Sequence, residues 1–178
     1  MSIVTRHGDG GETGLLYGGR VPKDDLRCEA YGLVDEAVSA LGLARALAGE
    51  TWAGEMEEVQ RELFTVGAEL ATDKGSRDQF LRHFSPVTAE MVEAMDVRVT
   101  RLEKDVPLPK GFVLPGGTPQ GAAADMARST LRTAERRVVS LVRAGEVPNS
   151  EVLRYLNRTA DYLFMLARAL DGDDLTAK

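Results

Sequence analysis

Cysteine and histidine are scarce in this sequence: Cys28 stands alone, with only His7 and His83 beside it. A lone cysteine excludes an internal disulfide, and these three residues cannot assemble a zinc site with the usual ligand spacing, so no protein-held metal is expected. Long apolar runs are also missing; no segment reaches the roughly 18 unbroken apolar residues that a membrane span requires. Positive charge is not in excess. Lys and Arg number 22 against 28 Asp and Glu, a net charge of −6, which argues against a general nucleic-acid binder because that affinity needs a broad basic surface. With no apolar leader or cleavage pattern at the start, the expected location is a reducing cytoplasm.

What is present is a chain of 178 residues, 43% of them hydrophobic, enough for one domain with a substantial core. Its first 25 residues differ in texture from the remainder, so we divide it into a Gly-rich segment, 1–25, and a helical body, 26–178. Six glycines lie between Gly8 and Gly19, among Thr5, Arg6, Asp9, Thr13, Arg20 and Lys23. Bare backbone N–H groups, hydroxyls and cations together suit a polyphosphate, although no Walker A pattern is present; a floppy terminus is the competing reading.

The body reads as five helices. Ala30, Val34, Ala37, Leu41, Ala44 and Ala48 recur at steps of four and three over Leu26–Ala48, as do Met56, Val59, Leu63, Val66 and Leu70 over Thr51–Thr72. A polar loop holding Phe80, His83 and Phe84 follows. Val92, Met95, Val99 and Leu102 mark the third helix, which ends before Pro107. The fourth begins at Thr118-Pro119, a capping hydroxyl followed by a proline suited to the first helical position, and buries Ala127, Leu131, Ala134, Val138 and Leu141. The fifth follows Asn149-Ser150, carries Leu153, Leu156, Ala160, Leu163, Ala167 and Leu170, and stops at Gly172. Strands of consequence are not expected. An all-α, antiparallel five-helix bundle follows, and its small-residue helix faces point to a homo-oligomer.

Beside the fourth helix's apolar stripe run Arg128, Arg132, Glu135 and Arg136 at i, i+4, i+7 and i+8. Guanidiniums this close want an anion, unless the face is simply solvated. Asp35 lies off the first helix's seam, in a row of small residues with Ser39, Gly42 and Ala46. It either faces water beside Glu36 or pairs with an arginine of the fourth helix. Phe112, on the Pro/Gly-framed loop 104–117, is either a plug over the core or part of a ligand pocket.

Five blocks in order, TRHGDGGETGLLYGGRVPKDD, EAYGLVDEAVSALGLARA, FVLPGG, ARSTLRTAERRVV and YLNRTADYLFMLAR, resemble the PduO-type ATP:cob(I)alamin adenosyltransferases. They run from Thr5 to Arg168. The resemblance implies a homotrimer that holds ATP, with Mg²⁺, between neighbouring subunits and transfers its 5′-deoxyadenosyl group to cobalamin. It implies that Thr5, Arg6, Gly8, Asp9, Gly11, Thr13, Gly14 and Lys23 wrap the triphosphate, and that Arg132, Glu135, Arg136 and Asn157 complete the nucleotide site. It implies a salt bridge between subunits from Asp35 to Arg128, and a place for Phe112 beneath the corrin, keeping the lower axial base off cobalt. A reductase and a cobalamin-dependent acceptor enzyme are the implied partners. The family often has a lysine where this chain has Gly10, and a second arginine where it has Thr133; Arg6 or Arg20 is the expected substitute for a lost cation. A non-catalytic nucleotide or corrinoid carrier and a purely structural trimer are the competing functions.

Overall fold

Four long helices start where a short polar side chain takes up free backbone N–H groups. Asp25 accepts from Arg27 N, Thr88 from Met91 N, Thr118 from Gly121 N and Asn149 from Glu151 N. In the computed structural model, which describes residues 4–172, these caps open α1 (Leu26–Leu47), α4 (Ala89–Asp105), α5 (Pro119–Arg143) and α6 (Ser150–Asp171). α2 (Glu50–Leu70) begins after Gly49, whose φ of 74° lets the chain reverse without a side-chain cap. The sequence led us to expect five helices. Six are present among the described residues, because Arg77–Leu81 forms a one-turn α3 inside the presumed polar loop and buries Phe80.

The helices pack side by side: α1 on α2 and α5, and α6 on α5 and α4. The expected seams are the buried ones except at Ala48, Val99 and Leu153, which are half-buried; Ala30, Ala37, Leu41, Leu63, Leu131, Leu156 and Leu163 are all inaccessible to solvent. α2 closes the ring through polar side chains. Tyr155 and Tyr162 of α6 donate to Glu62 and Glu55 of α2, at 2.5 and 2.8 Å, and Arg98 and Arg101 of α4 reach the same two carboxylates. Burial, followed by the adjoining carboxylate, pushes both phenols well above their ordinary range. Gly42 is not an open face for another subunit, because the Gln60 amide of α2 lies 3.0 Å from where its Cβ would stand.

The Gly-rich segment is ordered by its own hairpin, contrary to the expectation of no significant strand. β1 (Glu12–Gly14) pairs antiparallel with β2 (Arg20–Pro22), with Thr13 opposite Val21. Three-residue strands are too short to show a period-two pattern, so they left no trace in the sequence. The hairpin is fastened to the bundle: Leu16 N donates to Ala71 O and Asp73 N to Tyr17 O, both at 2.9 Å. Beneath it Arg27, only 4% exposed, donates to the carbonyls of Leu70, Thr72 and Glu146, tying the start of α1 to the ends of α2 and α5.

Candidate functional site

Two groups of the predicted residues are each brought together by the fold. The first is the turn ahead of β1. Asp9 N donates to Arg6 O and Gly11 N to Gly8 O, which winds residues 6–11 into successive tight turns. Arg6 sits at φ 59° and Gly11 at φ 83°; for Arg6 that is an uncommon left-handed conformation, of the kind that gathers at binding sites. Lys23 spans this turn. Its N–H donates to Gly11 O at 2.9 Å, and its ammonium lies 3.0 Å from the Cβ position that Gly8 leaves empty. Thr5, Arg6, Asp9 and Gly14 are exposed and Thr13 is half-buried, so backbone and side chains of the turn face solvent.

Arg20 is not a spare cation. It donates to His7 O at 2.7 Å and Glu12 O at 3.2 Å and pairs with the Glu12 carboxylate, so it splints the turn from within. Of the two expected substitutes, Arg6 is left.

The second group lies on the outer face of α5. Asn157 of α6 donates to Glu135 at 3.1 Å, joining two predicted residues across the helix pair. Arg136 is held against its own helix by Arg132 O at 3.1 Å and the Thr133 hydroxyl at 2.9 Å. Thr133 therefore does not replace the missing arginine but anchors a remaining one. Arg132 is exposed, and its guanidinium has no partner among the described residues.

Two isolated residues complete the set. Phe112 is 93% exposed, which removes the reading of a plug over this chain's core. Asp35 is exposed and has no partner among the described residues, α5 included, so the pairing with α5 does not occur inside one copy. Arg128 instead donates from Nε to Asp125, at 2.9 Å. None of the hydrogen bonds or ion pairs made by Thr5–Lys23 reaches residues 128–136.

Residues 3–170 match the model of the cobalamin adenosyltransferase family. The chain belongs to that family. It is 41% identical to the corrinoid adenosyltransferase of Bacillus subtilis (strain 168) over 177 residues, 97% of this chain and 88% of the relative. It is 37% identical to the human corrinoid adenosyltransferase MMAB over 169 residues, 93% of this chain and 67% of the relative. A variant of the PduO-type ATP:corrinoid adenosyltransferase from Lactobacillus reuteri, solved with cobalamin and ATP, superimposes with a TM-score of 0.84 at 34% identity, covering 96% of this chain and 93% of that one.

Within this cobalamin adenosyltransferase family member, sequence reasoning passed over several residues that shape the two groups. Asp125, 4% exposed, accepts from both Arg128 and Arg168. An acid three positions before an arginine on one helix was the available signal. Tyr31 donates to the Cys28 thiol at 3.2 Å, and that thiol in turn leans on Pro22 O at the end of β2. Burial, then the thiol, pushes the Tyr31 phenol up to about 12, so it stays a neutral donor beneath the hairpin. Among the described residues no three His, Cys, Asp or Glu side chains stand close enough together to hold a metal ion, and no helix is long and apolar enough to cross a membrane.

Proposed function

We propose that this chain transfers the 5′-deoxyadenosyl group of ATP to cob(I)alamin, releasing triphosphate and forming adenosylcobalamin. Cobalt(I) is the nucleophile and attacks the 5′ carbon, so the chain need supply none. Its task is to place the two substrates and to stabilise the negative charge that develops on the departing triphosphate. The Gly-rich turn offers free N–H groups and the Lys23 ammonium; Arg132 and Arg136 offer guanidiniums; Glu135 and Asn157, tied together, hold the nucleoside. Magnesium would come with the nucleotide, since among the described residues no cluster of acids stands ready to hold it.

The observation that carries the reading is Arg132, left without a counter-ion among the described residues beside the Glu135–Asn157 pair in a member of this family. A second support is the lack of any bond between the turn and the arginine face inside one copy. The two halves of the site then belong to adjacent copies of a homotrimer, where Asp35 of one meets Arg128 of the next. Phe112, already exposed on its loop, lies beneath the corrin. There it excludes the axial base and water, which destabilises the oxidised cobalt and eases its reduction. Electrons come from a separate reductase, a cobalamin-dependent enzyme takes the product, and the setting is cytoplasmic.

The test is the visible spectrum of reduced cobalamin mixed with the protein and MgATP. The carbon–cobalt bond forms at a rate proportional to enzyme. A protein that binds both ligands and leaves the spectrum of reduced cobalamin unchanged is a carrier instead.

A further inference from the structure

Where α5 meets the end of α6, Asp125 and Arg168 form a buried ion pair with Arg128 at its rim, 26% exposed. Asp125 accepts from Arg128 Nε through one carboxylate oxygen and from the Arg168 guanidinium through the other, and both residues of the buried pair are nearly inaccessible, at 4% and 7%. Arg168 also donates to Asp171 at 2.9 Å, and Asp171 accepts from Thr118 N at 2.9 Å at the end of the Phe112 loop. Both guanidiniums lie over the Phe164 ring, at 5.9 Å for Arg128 and 5.3 Å for Arg168. Arg168 Nε is buried with no hydrogen-bond partner among the described residues.

We propose that Asp125 is a positioning residue: it grips Arg128 by Nε, leaving the terminal nitrogens free for a carboxylate of the adjacent copy, and links that grip through Arg168 to the loop bearing Phe112. The inference rests on the adenosyltransferase reading of the site. Its physical basis is the planar fork of arginine, which serves one acid from the side and another from the end; the three donors of lysine share one nitrogen and do not reproduce that geometry. The link through Asp171 and Thr118 predicts which substrate suffers. Loosening Asp125 disturbs the corrinoid side, where Phe112 and the Arg128 contact lie, and spares the nucleotide contacts of Arg132, Glu135 and Asn157.

The experiment compares Asp125→Asn, Arg128→Lys and Arg128→Ala in the full chain, measuring KM for cob(I)alamin and for MgATP separately. Asp125→Asn keeps the shape, and Arg168 retains Asp171. The KM for cob(I)alamin is expected to rise about tenfold or more, as for a small misplacement of a binding group, with that for MgATP within about twofold. Arg128→Lys reproduces the same split and remains informative if Asp125→Asn does not fold. Adding Asp125→Asn to Arg128→Lys brings no further loss. Unchanged corrinoid KM in Asp125→Asn, or wild-type behaviour of Arg128→Lys while Arg128→Ala is impaired, overturns the positioning role alone. An Arg128→Ala variant with no corrinoid defect removes the site reading itself.

Discussion

Replacing Arg132 by alanine separates function from stability in a direction the structure fixes. The side chain is exposed and makes no bond among the described residues, so its removal breaks none of their contacts. Arg136 keeps both its anchors, because one is the backbone oxygen of residue 132 and the other is Thr133. What disappears is like-charge repulsion with Arg128 and Arg136 one turn away on either side, about 0.2–0.5 kcal/mol per pair, offset in part by lost attraction to Glu135 three positions on. Alanine is also the better helix former by a few tenths of a kcal/mol. The variant should therefore melt at the wild-type temperature or slightly above it, a gain of about 0.5–1 kcal/mol at most. Adenosyl transfer should fall about 10²–10³-fold, the usual consequence of losing one preorganised group that meets developing charge. Thermal unfolding by circular dichroism and initial rates of adenosylcobalamin formation measure the two quantities on one preparation. A destabilised variant, or one that retains its rate, refutes the reasoning.

Phe112→Ala should slow transfer with MgATP affinity and melting temperature both unchanged, since a ring 93% exposed holds no core together; equal losses in affinity and rate on titration would contradict this. Asp35→Ala should shift sedimentation toward smaller species, most clearly at low ionic strength where the lost bridge is least screened, or raise the corrinoid KM, and wild-type behaviour in both would remove the proposed bridge. Alkaline titration probes the hairpin's footing. Tyr31 has its folded value raised to about 12 from an ordinary 10.0, so its contribution to stability is complete below the unfolded value and is lost as pH rises through the folded one. Tyr155 and Tyr162 act with the same sign. Ultraviolet difference absorbance should show the three phenols ionising late, and Tyr31→Phe should flatten the stability profile between roughly pH 10 and 12.

The long helices were legible because period and punctuation agreed. Thr118-Pro119, Asn149 and Thr88 each stand where a seam begins, and each caps. α3 was missed because five residues show no period, and the β1–β2 hairpin for the same reason. At the site, residue types identified the arginine face and the Gly-rich turn, yet what each side chain touches could not be read. Arg20 looked like a free cation and is a splint; Thr133 looked like a loss and is an anchor. Asp35 and Phe112 were each left between two readings, since exposure depends on how α1 and the loop 106–117 sit against their neighbours. Asp125 went unnoticed because its decisive partner, Arg168, is 43 residues away.

The central claim is that one copy's turn and another copy's arginine face make a single site, and mixing two inactive variants tests it. Lys23→Ala damages the turn and Arg132→Ala the face. If the halves come from different copies, random reassembly of equal amounts restores about a quarter of the sites, since each half is intact with a chance of about one in two. Adenosylcobalamin formation should recover to about that fraction of the wild-type rate. A mixture no more active than the average of its two components would show that each copy carries its whole site alone.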